Sequence, residues 1–149
     1  LSSAYLHSIF PDMTSTLPHE VQASELPRTQ FLFLTPDQIE HVPTSSVALT
    51  LNTHSFQEMT RDQIQVYFDL ISRVLIPGGT TFNCNRVEKI LSYPDTTTEQ
   101  LQVTRFAEYP FDPFWKDLHY QISTFHSLVQ RDACATRIQQ APLEKRGER

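Results

Sequence analysis

Glycine is scarce in this chain. Only three of the 149 residues are glycine, and they stand at Gly78, Gly79 and Gly147, so no G-x-G sequence occurs. Glycine-rich turns of that kind allow a backbone to approach the phosphate or ribose of a nucleotide-type cofactor. These residues therefore do not supply the glycine-rich loop that usually binds such a cofactor.

Excess positive charge and long apolar runs are also missing. The formal net charge is −5, which argues against nucleic-acid binding and against electrostatic attachment to an anionic membrane. No apolar run is long enough to span a bilayer, and the chain does not open with a signal-peptide pattern. We therefore expect a cytoplasmic protein with no nucleic-acid partner and no membrane insertion.

Cysteine and histidine do not form a metal-binding pattern. Cys84 and Cys134 lie far apart without partners at metal-ligand spacing, and two cysteines in this length do not make a disulfide framework. We expect both to be small core residues. Five histidines lack H-x-x-x-H spacing and are expected to be structural or exposed, so no metal is predicted; they are His7, His19, His41, His119 and His126.

The chain begins within a helical pattern rather than at a methionine. The pattern predicts a short helix ending at Phe10, because Pro11 disfavours helix in the residue before it; its apolar positions are Leu1, Tyr5, Leu6 and Ile9. Three prolines in residues 11–29 predict a connecting segment. We interpret the chain as a fragment of a longer protein.

Residues 30–84 alternate between strand and helix patterns. Capping-box sequences at Thr35 and Thr60, each followed by Gln three residues later, predict two helices. The second has an apolar face of about four turns and ends at the Pro77-Gly78-Gly79 sequence. Short apolar runs predict buried strands around these helices, at 31–34, 46–51 and 80–84. This order favours an α/β sheet with parallel strands and right-handed crossovers.

The last third of the chain has a different pattern. Residues 101–109 and 117–125 predict two strands joined by an aromatic loop, and we expect them to form an antiparallel pair at the sheet edge. Residues 131–149 are charged and predict a frayed helix or tail. The expected organisation is thus part of a single domain over residues 1–130, followed by a tail over 131–149.

Polar side chains follow two of the predicted strands. One strand leads into residues 52–59, which include His54 and Glu58, and the next ends in Asn85-Arg86. Ligands of open α/β sheets bind beyond the carboxyl ends of the strands, so these groups are expected to face one cleft. Asn and Ser also stabilise ordinary turns, Glu58 also suits a helix N-terminus, and Arg86 also suits a solvated surface.

The sequence resembles the sugar O-methyltransferase family. The resemblance rests on Asn52-Thr53-His54-Ser55-Phe56-Gln57-Glu58-Met59, followed by Tyr67-Phe68, Pro77-Gly78-Gly79 and Asn85-Arg86, and covers roughly residues 28–127. It implies a Rossmann-like methyltransferase sheet, a final antiparallel strand, S-adenosyl-L-methionine as cofactor and a sugar or glycan acceptor. The glycine-rich loop and the acidic ribose ligand of such enzymes are not in this sequence, so the N-terminal cofactor-binding half is expected to be missing and the chain as given inactive.

The resemblance also suggests roles for individual residues. His54 is the expected general base, and Glu58 is a second candidate or the group that orients the imidazole. Asn52 and Thr53 would contact the amino-acid end of the cofactor. Asn85 and Arg86 would hold sugar hydroxyls or a phosphate. Trp115 would stack on a sugar face, unless it packs in the core.

Two other functions stay open from the sequence. The first is a non-catalytic α/β fragment that acts in interactions or structure, which the missing cofactor loop favours. The second is a nicotinamide-dependent oxidoreductase, which the S-F-Q-E-M block at residues 55–59 disfavours. The oligomeric state is undetermined.

Overall fold

A computed structural model describes residues 2–21, 28–91, 102–126 and 131–144. The chain divides into two compact units, Leu1–Pro43 and Thr44–Arg149. In the described residues, no helix is long and apolar enough to cross a membrane.

The first unit contains one helix and a small parallel sheet. Helix α1 spans Ser2–Ile9, as predicted, and strand β1 at Ser15–Thr16 pairs with β2 at Phe31–Leu32. Strand β2 is shorter than the predicted 31–34, and β1 lies within the segment that was expected to be a connection. Short 3₁₀ helices occupy Pro18–Glu20 and Pro36–His41; the second confirms the predicted start after Thr35.

The second unit is built on a four-stranded mixed sheet in the order β3-β4-β8-β7. Strand β3 at Val47–Thr53 runs parallel to β4 at Leu75–Arg86, and helix α2 at Arg61–Val74 connects them. Strand β8 at Arg131–Gln140 runs antiparallel to both β4 and β7, and β7 spans Lys116–His126. The mixed α/β class agrees with the prediction.

Helix α2 begins at the predicted capping box. The Thr60 hydroxyl accepts from the Gln63 amide, and the Thr60 amide donates to Gln63 Oε1 at 2.9 Å. The helix ends at Val74, three residues before the predicted Pro77, because the chain enters β4 directly at Leu75. Its buried face is apolar and consists of Ile64, Phe68, Ile71 and Val74.

The two adjacent glycines allow the chain to pass close to its neighbours. Gly78 has φ +75°, a conformation that side chains disfavour. A Cβ on Gly79 would lie 2.9 Å from the Ile76 carbonyl oxygen and 3.2 Å from that of Ala48. Glycine is therefore required at the start of β4 for a positive φ and for a close backbone approach.

The predicted pairing of the last strands is wrong. Strand β6 at Gln102–Arg105 pairs antiparallel with β5 at Glu88–Leu91 rather than with the later strand. The partner of β7 is β8, which lies in the segment predicted as a frayed helix or tail. The charged residues of 131–140 suggested a solvated tail, but one of them, Arg137 of β8, forms a two-bond ion pair with Asp117 of β7.

Helix α2 packs its apolar face against an aromatic cluster and the sheet. The core cluster of this unit also includes Ala135 on β8. Phe56 lies at the centre, with its ring centroid 5.4 Å from that of Phe68 and 6.0 Å from that of Tyr109. Phe56 directly follows the polar segment after β3, so core packing holds that segment in place.

Candidate functional site

The carboxyl ends of β3 and β4 lie side by side. Thr53 is the register partner of Cys84, and the Asn52–Asn83 pair precedes it. After β3 the chain passes through His54 into a 3₁₀ turn at Phe56–Glu58, while β4 continues to Arg86. The polar residues collected here form what we call the strand-end site: Asn52, Thr53, His54, Gln57, Glu58, Asn85 and Arg86.

Asn85 links Asn52 to Gln57 in a series of amide groups in the strand-end site. Asn85 Nδ2 donates to Asn52 Oδ1 at 2.9 Å, and the backbone amide of Gln57 donates to Asn85 Oδ1 at 3.3 Å. Gln57 Oε1 in turn accepts from the Arg86 amide at 2.8 Å. Asn85 is 0% exposed and Gln57 6%. Asn85 therefore joins the ends of β3 and β4 from the protein interior. Its side chain does not face solvent as a sugar-binding group would.

His54 is held in an unusual conformation. Its φ is +60°, and its backbone amide donates to the Cys84 carbonyl at 2.7 Å. Its ring Nε2 lies 3.3 Å from the Sγ of Cys134 on β8. The residue remains exposed. Two contacts from two strands thus fix an imidazole that solutes can reach.

Glu58 is bonded to Gln57 and Lys89. Its Oε1 accepts from Gln57 Nε2 and from Lys89 Nζ, each at 3.1 Å. These bonds, that of Gln57 foremost, hold the pKa of Glu58 below its ordinary value. Glu58 is consequently a weaker base than a free carboxylate, and its contacts are with Lys89 and Gln57 rather than with the imidazole.

Thr53 and Arg86 flank the amide series. Thr53 is exposed, and its carbonyl accepts from the Ser55 hydroxyl at 3.4 Å. Arg86 is half-buried, and its backbone is fixed by Gln57. Both residues lie where the sequence predicted them, at the carboxyl edge.

Trp115 lies away from the strand-end site. It lines a cavity of about 300 Å³ at the beginning of β4, together with Leu75, Pro77 and Phe114. The next residue, Lys116, is paired through Gln140 with Thr80, which is six residues before Arg86 and roughly 20 Å from it along an extended strand. Trp115 also packs against the core cluster. This packing agrees with the alternative that the sequence left open, and stacking on a sugar stays a prediction.

Tyr109 carries a buried hydroxyl beside a second cavity. In the described residues its Oη has no hydrogen-bond partner, and the residue is 6% exposed. Burial, and secondarily the negative charge of Glu58, raise the pKa of this phenol. Tyr109 lines a cavity of about 290 Å³ with Thr104, Arg61 and Arg105.

Sequence analysis missed three residues of this region. Gln57 joins the turn to β4, Lys89 pairs with Glu58, and Cys134 contacts His54. Gln57 belongs to the 52–59 segment that carries the family resemblance, so the sequence could have predicted that it lies in the site. Lys89 and Cys134 come from strands whose pairing was not predicted. No group of three His, Cys, Asp or Glu side chains suited to a metal occurs among the described residues.

Asn52 offers a hydrogen-bond donor to the cofactor implied by the resemblance. Asn52 Oδ1 is used by Asn85, which leaves the Asn52 Nδ2 group to donate to an anionic ligand. A carboxylate such as the amino-acid end of S-adenosyl-L-methionine matches such a donor. The residues present thus fit that end of the cofactor, while the chain has no glycine-rich loop for the remainder.

No protein-family model matches the chain, and no curated protein matches it significantly. Twelve solved chains do match. One is the crystal structure of a SAM-dependent methyltransferase from Methanosarcina mazei, with a TM-score of 0.57 and 12% sequence identity; the match covers 95% of this chain and 87% of that chain. The chain therefore shares the α/β fold of that protein, and the likeness extends over most of both chains.

Proposed function

We propose that this chain belongs to an S-adenosyl-L-methionine-dependent methyltransferase that transfers a methyl group to a sugar hydroxyl. The observation that carries the proposal is the strand-end site, where an exposed histidine and a chain of amides meet at the carboxyl ends of two parallel strands. Ligands of open α/β sheets bind at this edge. The fold shared with the M. mazei methyltransferase supports methyl transfer, and the residue pattern at 52–59 supports a sugar acceptor.

Positioning is the larger part of such a reaction. The bound cofactor would supply an electrophilic sulfonium methyl, and the protein has to hold an acceptor oxygen in line behind it. Correct orientation of two reactants can lower the barrier by about 7–11 kcal/mol. Asn52 and Thr53 would contact the amino-acid end of the cofactor, and Arg86 would hold the acceptor's hydroxyls or phosphate.

The acceptor hydroxyl also has to lose its proton. His54 is the proposed general base, because its imidazole is exposed and histidine is the side chain that most often serves as a general base. Glu58 is the less suitable base, since its hydrogen bonds lower its pKa. Glu58 would instead retain Lys89 beside the site through their 3.1 Å ion pair. Asn85 supports both Asn52 and Gln57 from the interior.

The proposal is tested by cofactor binding and methyl transfer on the complete protein. Titration calorimetry with S-adenosyl-L-methionine measures binding, and labelled cofactor with monosaccharides and nucleotide-linked sugars measures transfer. We expect His54→Ala to lower turnover about 10²-fold or more while binding stays unchanged. Unchanged turnover would remove His54 from the mechanism. Cofactor binding without transfer to any sugar would refute the acceptor class, and a change in nicotinamide absorbance would favour an oxidoreductase.

A further inference from the structure

We propose that Cys134 is a positioning residue for His54, which orients the imidazole through a hydrogen bond from Nε2–H to Sγ and leaves Nδ1 as the proton acceptor. The inference rests on the proposed function for its catalytic meaning. The contact itself, at 3.3 Å between Nε2 and Sγ, is independent of that function.

The sheet register places Cys134 at the end of β4, close to His54. Cys134 is the register partner of Arg86, at the end of β4, and the residue is 8% exposed. Its neighbour Ala135 is part of the core cluster and pairs with Asn85. Side chains alternate between the two faces of a strand, so Cys134 points to the face opposite the amide series. The imidazole thus meets the sulfur on one face while the amides lie on the other.

The backbone of His54 is held by contacts of its own next to the Cys134 sulfur. A histidine at φ +60° is in the left-handed region, and its amide is bonded to the Cys84 carbonyl at 2.7 Å. Such a conformation persists where surrounding contacts determine it. Glu58, the other candidate for orienting the ring, is already bonded to Gln57 and Lys89.

The direction of the hydrogen bond decides which nitrogen can act as a base. If the thiol donates to Nε2, a neutral ring carries its proton on Nδ1 and has no lone pair free for the acceptor. If Nε2–H donates to sulfur, Nδ1 retains its lone pair. The second arrangement is the one that permits base catalysis, and it is the arrangement that we assign.

Nitrogen-15 NMR of the imidazole tests this assignment without any activity measurement. At a pH above the titration range of ordinary histidine, the shifts of Nδ1 and Nε2 report which nitrogen carries the proton. We expect the Nε2–H form to predominate in the wild type and Cys134→Ala to shift the ring towards a mixture. Cys84→Ala is the matched control, because it removes another thiol of the same face and keeps the Cys84 carbonyl that His54 uses; it should leave the shifts unchanged.

Kinetics then connects the contact with catalysis. We expect Cys134→Ala to lower kcat about tenfold with little change in KM, because a misaligned base affects the reaction more than binding. Cys134→Ser keeps an acceptor atom, but on a shorter bond and therefore farther from Nε2, and it should fall between wild type and Cys134→Ala. Backbone amide spectra of each variant establish that it is folded.

Failure of this inference is separable from failure of the proposed function. Wild-type shifts dominated by the Nδ1–H form, or identical shifts in Cys134→Ala, would overturn the role of Cys134 whether or not the protein transfers methyl groups. If His54→Ala retains full turnover while Cys134→Ala alters the ring shifts, the contact is real and the base assignment is wrong.

Discussion

His54 combines a reactive side chain with a backbone conformation that most residues avoid. Left-handed φ values cost a non-glycine residue energy, and His54 has φ +60°. We expect His54→Gly to be more stable than His54→Ala by about 1 kcal/mol, because both remove the imidazole and only alanine retains the strain. Urea unfolding of the two variants measures the difference.

Ser45 provides a second residue on which to check the same physics. Its φ is +52°, and its amide donates to the Arg73 carbonyl at 3.0 Å. Ser45→Gly should likewise exceed Ser45→Ala in stability. If the glycine and alanine variants differ in stability at position 45 but not at position 54, His54 does not keep its left-handed conformation in solution.

Asp117 gives a prediction for the dependence of stability on pH. Arg137 donates to both of its carboxylate oxygens at 2.8 Å, and this interaction, with the largest effect, lowers the pKa of Asp117. A carboxyl whose folded pKa is depressed stabilises the fold above its unfolded pKa and loses that contribution as pH falls through the folded pKa. Both side chains are partly exposed, so we expect Asp117→Asn to cost about 0.5–1 kcal/mol at neutral pH.

The loss in Asp117→Asn should diminish as the solution is acidified, since the wild-type carboxyl is then protonated as well. Urea midpoints measured from neutral pH to pH values below the ordinary Asp range follow the effect. Asp69→Asn is the control, because Asp69 accepts from Gln65 rather than from an arginine. A deficit that persists unchanged at acid pH would show that the ion pair is not its source.

At the scale of elements, helix α2 illustrates what local sequence can predict. Its capping box was recognisable because both partners, Thr60 and Gln63, lie within one turn, and its apolar face because the spacing is helical. We expect Thr60→Ala to destabilise the protein by about 1 kcal/mol, since the Gln63 amide loses its acceptor. Thermal or urea unfolding measures this loss.

Thr60→Ser and Gln63→Ala separate the two halves of the cap. The serine variant retains the acceptor and should stay close to the wild type. Gln63→Ala removes only the bond from the Thr60 amide, which is 2.9 Å long, and should have a smaller effect than Thr60→Ala. A harmless Thr60→Ala would mean that the helix start is determined by packing of Ile64 and Phe68 instead.

Strand β8 shows where local sequence stops being informative. Apart from Ile138, its residues are small, polar or charged. Their partners lie on other elements: Arg137 bonds Asp117, and Gln139 Nε2 donates to the Asp112 carbonyl at 3.3 Å. A buried strand of this kind does not produce an apolar run or a clear alternation. Because β8 was missed, the contact of Cys134 with His54 could not be predicted either.

At the scale of the whole molecule, the parallel crossover from β3 through α2 to β4 was predictable, and it placed the strand-end site at the correct edge. The insertion of β8 between β4 and β7, and the division into units after Pro43, depend on long-range contacts. Neither leaves a periodic pattern in the sequence. The candidate site was accordingly predicted at its strand ends and missed where it receives side chains from β5 and β8.

The edge of the large sheet leads to a prediction about self-association. Among the described residues, β3 pairs with β4 alone, and its Leu49 and Leu51 are 51% and 69% exposed. An exposed strand edge with apolar side chains promotes association between chains, and lysine at such a position opposes it. We expect Leu51→Lys to raise the monomer fraction at high concentration, measured by size-exclusion chromatography with light scattering, without lowering the urea midpoint. Leu143→Lys is the control for this prediction. Leu143 is 80% exposed and lies outside the sheet, so the variant should change association little. If Leu51→Lys instead destabilises the monomer, Leu51 is buried in solution by another part of the protein, because an exposed leucine tolerates a charge.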